Sequence, residues 1–246
     1  MKKWIAVVGV LIVVGAWWAW IARPVIPWNC RQLVVVVGQD WNATRGELRR
    51  FERGGVGEAW RVVGESVPVD LGRGGLGWGR GLHPMPAGSG PVKAEGDGRA
   101  PAGLFELTQV FAVEPSEVQG TGLPVTTVTP GLVCVDDGNS NRYNTMFSHE
   151  PDQPKNWTSA ETMLRPDGLY RFGVFVAHNT DPAQPGAGSC IFLHIRHADG
   201  RPTSGCTAME AERLRQVILW LRERPVLVQL PAAEYGRLAP DWGLPE

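Results

Sequence analysis

Sustained helical periodicity occurs in one place in this chain, and that scarcity constrains the fold more than any other feature. Leu214, Val217, Ile218 and Leu221 recur at helical spacing. They follow Thr207 and Glu210, whose S/T-x-x-E interval matches a capping box. Elsewhere the apolar runs are short and punctuated by turn residues. Residues 33–37, a leucine and four valines, read as a buried strand, and 60–63, 67–69, 106–113 and 132–135 are further β-rich pieces. Residues 170–176 alternate as a strand ending near His178, 190–195 form its partner, and 226–230 return as a strand behind the helix. A second S/T-x-x-E interval at 158–161 predicts a brief helix through Met163. The expected class is a mainly β domain with one prominent C-terminal helix.

Within that frame, residues 189–210 hold the densest chemistry. An apolar strand ends in His194, a polar loop follows, and Cys206 stands immediately before the expected helix start. A helix N-terminus presents free N–H groups and a positive dipole end, which favour a thiolate. The same donors, Gly205 and Cys206 N–H first among them, suit an oxyanion at an attacked carbonyl. Cys206 with His194 therefore reads as a nucleophile and its base, against the plainer reading of a buried, inert cysteine at a turn. A structural zinc site drawing on Cys190, His194, His197 and Cys206 is the rival, with irregular ligand spacing. His197 is an alternative base, although its offset of three from His194 predicts the opposite strand face.

The amino terminus sets the compartment. Met1-Lys2-Lys3 precedes an uncharged run over 4–22, which at about 1.5 Å per residue spans roughly 28 Å, near the hydrocarbon thickness of a bilayer. The lysines favour a cytoplasmic start, and Trp17, Trp18 and Trp20 suit the far interface. An uncleaved transmembrane anchor over 1–23 is expected, with a cleaved signal peptide as the alternative. Residues 24–31 would be a linker and 32–246 one catalytic domain in the cell envelope, anchored to the inner membrane and facing the periplasm or the outside. There the four cysteines meet oxidising conditions; Cys30 with Cys134 is one candidate disulfide, and Cys190 with Cys206 would block the nucleophile.

Other signals carry less. With 24 basic and 25 acidic residues there is no electrostatic case for nucleic acid. Gly72, Gly74 and Gly77 match G-x-G-x-x-G, but more glycine follows where a dinucleotide site needs a helix. Asp136-Asp137-Gly138 lacks the closing glutamate of a calcium loop and reads as a turn. No cofactor is implied.

Ile191-Phe192-Leu193-His194 followed by Thr203-Ser204-Gly205-Cys206 resembles the histidine and [S/T]-H-G-C elements of the L,D-transpeptidase catalytic domain, a bacterial cell-wall enzyme family. Residues 93–105, with Lys93, Gly96-Asp97 and Ala100-Pro101, resemble the same family's upstream element. The resemblance implies a β-sandwich-like fold. It implies Cys206 as nucleophile and His194 as general base, attacking the bond between an L-centre and D-alanine in a peptidoglycan stem peptide. A thioester would form and an amine would resolve it; water in that place would make the site a carboxypeptidase, and loss of chemistry would leave a peptidoglycan-binding scaffold. The chain departs from its relatives at Ser204, where many have a second histidine, at Thr207-Ala208-Met209, and in a shorter His-to-Cys interval, which marks a divergent subgroup. Ser204 is a candidate helper, Thr203 a substrate contact, and Arg201 a replacement cation for a substrate carboxylate.

Overall fold

The computed structural model describes residues 25–55, 57–85 and 90–246. The expected anchor over 1–23 lies outside them; among the described residues no helix is long and apolar enough to cross a membrane.

Thirteen strands dominate the described residues. β1 (Gln32–Gly38), β2 (Arg45–Glu52), β3 (Arg61–Asp70) and β4 (Leu76–Trp78) lead to the long β5 (Ala100–Ala112). The short β6 (Val125–Thr127) follows, then β7 (Leu132–Val135), β8 (Met146–Ser148) and β9 (Ala160–Thr162). β10 (Phe172–Val176), β11 (Phe192–Ile195) and β12 (Thr207–Met209) precede helix α1 (Ala211–Trp220), after which come β13 (Val226–Pro231) and helix α2 (Ala232–Trp242).

The main sheet runs β10-β11-β12-β3-β2-β1-β13-β5, and β5 pairs again with β10. The implied sandwich is thus one sheet that returns on itself. The length of β5 makes this work, because residues 103–106 pair with β13 while 107–112 pair with β10. β1 lies between antiparallel β2 and parallel β13, buried on both faces, which is why its valines run without alternation. β7, β8 and β9 form a separate three-stranded sheet, order β8-β7-β9.

Several local expectations are overridden by pairing. Thr207 does not cap a helix. It begins β12, parallel to β11, and its hydroxyl donates to Gln229 Oε1 at 2.7 Å. Burial of Thr207, Ala208 and Met209, none more than 1% exposed, outweighs a cap of about 1 kcal/mol, so α1 starts only at Ala211. Residues 158–163 give strand β9 rather than a helix, because Cys134 and Val133 of β7 take Glu161 and Thr162 as partners. The pieces at 60–63 and 67–69 are one strand, β3, with Gly64 at φ +69 beside a register shift. Helix α2 had no counterpart in the periodic pattern, since Gly236 and Pro240 interrupt it.

Part of the expected linker is packed. Ile26 and Cys30 belong to the main core, and Arg53 Nε donates to Cys30 O at 2.9 Å. α1 buries Leu214, Val217 and Ile218 against that core. A second apolar cluster holds Phe111, Tyr170, Phe175 and Phe192 around a Cys134–Cys190 disulfide and Cys206.

Candidate active site

β11 and β12 bring the two proposed catalytic side chains together. In their parallel register Leu193 pairs with Thr207 and His194 with Ala208. Cys206 therefore sits one step ahead of β12, two places back from His194's partner, with its sulfur against the start of β11. Both residues line one cleft of about 280 Å3.

His194 is 4% exposed, and burial pulls its pKa down to about 4 despite the nearby Ile195 carbonyl. It is thus neutral at pH 7. Its Nδ1 lies 2.7 Å from Ile195 O, so Nδ1 carries the proton and Nε2 keeps a free lone pair. Tyr170 packs edge-on to the ring at 5.2 Å between centroids.

Cys206 does not lie at a helix start, and the electrostatic expectation built on that position is reversed. The thiol is buried, which pushes its pKa up to about 12; Glu161 adds to the rise, and the Phe192 N–H donated to Sγ at 3.3 Å opposes it. The resting pair is therefore thiol and neutral imidazole.

The turn before Cys206 is held by Thr203. Its hydroxyl donates to Cys206 O at 2.6 Å and accepts from Gly205 N at 3.1 Å. Thr203 is 3% exposed, so it shapes the turn from inside. Gly205 takes φ +150, and a Cβ there would meet Arg99 O at 3.1 Å. Its N–H, expected for the oxyanion, is engaged in this structure. Ser204 Oγ accepts from Arg73 Nη1 at 2.9 Å, at the cleft wall.

Arg201 lies outside the cleft lining, exposed and 3.9 Å from Asp199. The cations that do line it are Arg73, Lys93 and Arg165. Lys93 is buried and donates to Asp97 Oδ1 at 2.7 Å, while Arg165 pairs with Asp167. Arg73 makes no ion pair among the described residues. His197 also lines the cleft: β11 ends at Ile195, so strand alternation does not reach it.

Sequence spacing missed Glu161 and Tyr170. Tyr170 donates to Glu161 Oε2 at 2.6 Å, and both line the cleft. Burial raises the pKa of each, that of Glu161 in part because Asp136 is near. Glu161 comes from the small sheet, brought in by β7–β9 pairing, and no local signal points to it. Glu95, which also lines the cleft, accepts from Ser189 Oγ at 2.7 Å and from Tyr143 at 2.6 Å.

The disulfide joins Cys134 and Cys190, leaving Cys30 and Cys206 as free thiols, so neither expected pairing occurs. The zinc alternative loses Cys190, and among the described residues no group of three metal-ligating side chains is assembled. Gly72 and Gly74 pack against the backbone of residues 97–100, where a Cβ on Gly72 would meet Gly98 O at 2.3 Å, and β4 follows them in place of a helix. Asp137 forms a turn: its carboxylate accepts from Thr158 and Asn139, which holds it down to about 2.

The model of the L,D-transpeptidase catalytic domain, YkuD, matches residues 77–228. No curated protein sequence matches. A solved structure of Bdellovibrio bacteriovorus Bd1075 is similar at 12% identity with a TM-score of 0.42, covering 90% of this chain. The chain spans 59% of that structure's length.

Proposed function

Because the chain belongs to the L,D-transpeptidase catalytic domain family, we propose that it is a cysteine acyltransferase acting on peptidoglycan stem peptides, tethered to the membrane through residues 1–23. The observation that carries this reading is the placement of His194 on β11 and Cys206 immediately ahead of the paired β12, both at one cleft.

His194 Nε2 takes the Cys206 proton as sulfur bonds to the carbonyl carbon of the bond before D-alanine. Because the resting pair is neutral, proton transfer and attack proceed together. The Gly205 N–H exchanges Thr203 Oγ1 for the developing oxyanion. Collapse breaks the C–N bond, the amine leaves with the proton from His194, and a thioester remains. A second stem's amine attacks it, gives its proton to His194, and the sulfur leaves to be reprotonated. Arg73, held on Ser204 and without an ion pair among the described residues, receives a substrate carboxylate in the place expected for Arg201.

Intact-mass analysis of the full chain with a stem tetrapeptide tests this. A Cys206-dependent adduct formed with release of D-alanine is expected. A Cys206→Ala chain that reacts equally, or an unreactive wild type that still binds sacculi, sinks the enzyme assignment. Muropeptide products then separate crosslinked dimers from trimmed monomers, which would mark hydrolysis.

A further inference from the structure

Strand β3, which pairs with β12 beside the cleft at one end, carries a different surface at the other. Arg61 opens β3, and Asp70 closes it where it pairs with Ala208 beside the cleft. At about 3.3 Å per residue the two ends stand at most roughly 30 Å apart. At the Arg61 end lies an open groove of about 840 Å3, lined by Trp28, Arg31, Arg53, Arg61, Arg222 and Arg224. Glu52 and Glu223 supply its negative charge, so the groove is cationic on a chain whose net charge is −1.

Two features of this pole lack an internal explanation. Trp28 is 75% exposed, yet its turn is held in place: Cys30 N–H donates to Pro27 O at 2.9 Å, and Arg53 donates to Cys30 O while stacking over Trp60 at 4.3 Å. The Arg31 and Arg61 guanidinium groups make no hydrogen bond or ion pair among the described residues. Arg222 is spent on the end of α1, through Leu219 O and Leu221 O, and Arg224 on Glu106.

We propose that this pole is a membrane-facing surface that rests on anionic phospholipid headgroups and holds the catalytic cleft away from the bilayer, towards the wall. The uncharged run over 4–22 ends six residues before Trp28, so the tryptophan stands within about 20 Å of that end however the link is drawn. Exposed tryptophan is the side chain suited to the headgroup level, and free guanidinium groups match phosphate. Attraction of a basic cluster to anionic lipid acts over a Debye length, roughly 10 Å at 0.1 M salt, which the groove can reach only if it lies against the surface. The inference rests on the membrane-tethering part of the proposed function and not on the acyl transfer.

The test uses the full chain in phosphatidylcholine vesicles with and without phosphatidylglycerol, read by flotation and by backbone hydrogen exchange. Flotation with both vesicle types is expected, with exchange at 28–31 and 222–224 slowed several-fold only where phosphatidylglycerol is present. An Arg31→Glu/Arg61→Glu chain with an unchanged melting temperature should lose that protection, as should molar salt. A chain that floats but shows equal exchange in the two lipids overturns the surface alone; one that floats with neither overturns tethering and surface together. Equal protection of detergent-held chain by a soluble anionic glycan assigns the pole to glycan and overturns the lipid assignment.

Discussion

The Phe192 N–H points at Cys206 Sγ over 3.3 Å, from the strand that carries His194 two residues later. The sulfur is thus seated by the start of a strand, in a buried position, instead of by a helix end. Its electrostatics follow from that seat, and the first prediction concerns them.

With Cys206 pushed up to about 12 and His194 held down to about 4, no thiolate stands ready at neutral pH. Alkylation of the Cys206 peptide by iodoacetamide, followed by mass mapping, should rise steadily with pH across 6–10. A plateau reached below pH 8 would show a resting ion pair and sink this account.

Glu161 contributes to the raised thiol pKa after burial itself. Glu161→Gln removes that charge, so the same alkylation profile should move to lower pH. Tyr170→Phe keeps the carboxylate charge but strips its 2.6 Å donor, and should not produce the downward move.

Arg73→Ala should raise KM for the tetrapeptide more than it lowers kcat. Loss of a charge-assisted contact of roughly 1.5–3 kcal/mol corresponds to about a 10- to 150-fold drop in kcat/KM. Arg201→Ala, on an exposed loop beside Asp199, should leave steady-state kinetics unchanged.

The Cys134–Cys190 disulfide closes a sequence separation of 56 and ties the small sheet to the cleft wall. Loop closure of that length contributes roughly 4 kcal/mol in the chain-entropy account. Cys134→Ser/Cys190→Ser should lower the denaturation midpoint accordingly, measured in urea, and reductant should do the same to wild type only.

Acid should destabilise the fold well above the carboxylate range. His83, His178 and His194 are each held down to about 4 by burial, against about 6.5 unfolded. The unfolded chain then binds more protons between those values, so stability is full above 6.5 and falls as pH drops towards 4. Each can contribute up to roughly 3 kcal/mol, while Glu161, raised by burial, runs the other way. Melting temperature at pH 7.5 and 4.5 measures the fall, and His83→Gln should make it shallower.

Much of the β scaffold could be read locally. The valines of β1 and the run of β13 are buried on both faces, and such strands show themselves as unbroken apolar runs. The core of α1 was legible for a similar reason, since Leu214, Val217 and Ile218 face one way at helical spacing. Thr207 shows the limit: its capping interval is a local preference of about 1 kcal/mol, and pairing with β11 moved it into a strand.

By itself the sequence determined which residues are chemically able to act, Cys206 and His194 beside a glycine turn, and which family pattern they match. Tertiary structure decided their state and company. Burial depends on neighbours distant along the chain, so only the fold could make the thiol protonated, join Cys134 to Cys190, bring Glu161 and Tyr170 to the sulfur, and set Arg73 in the cleft where Arg201 had been expected.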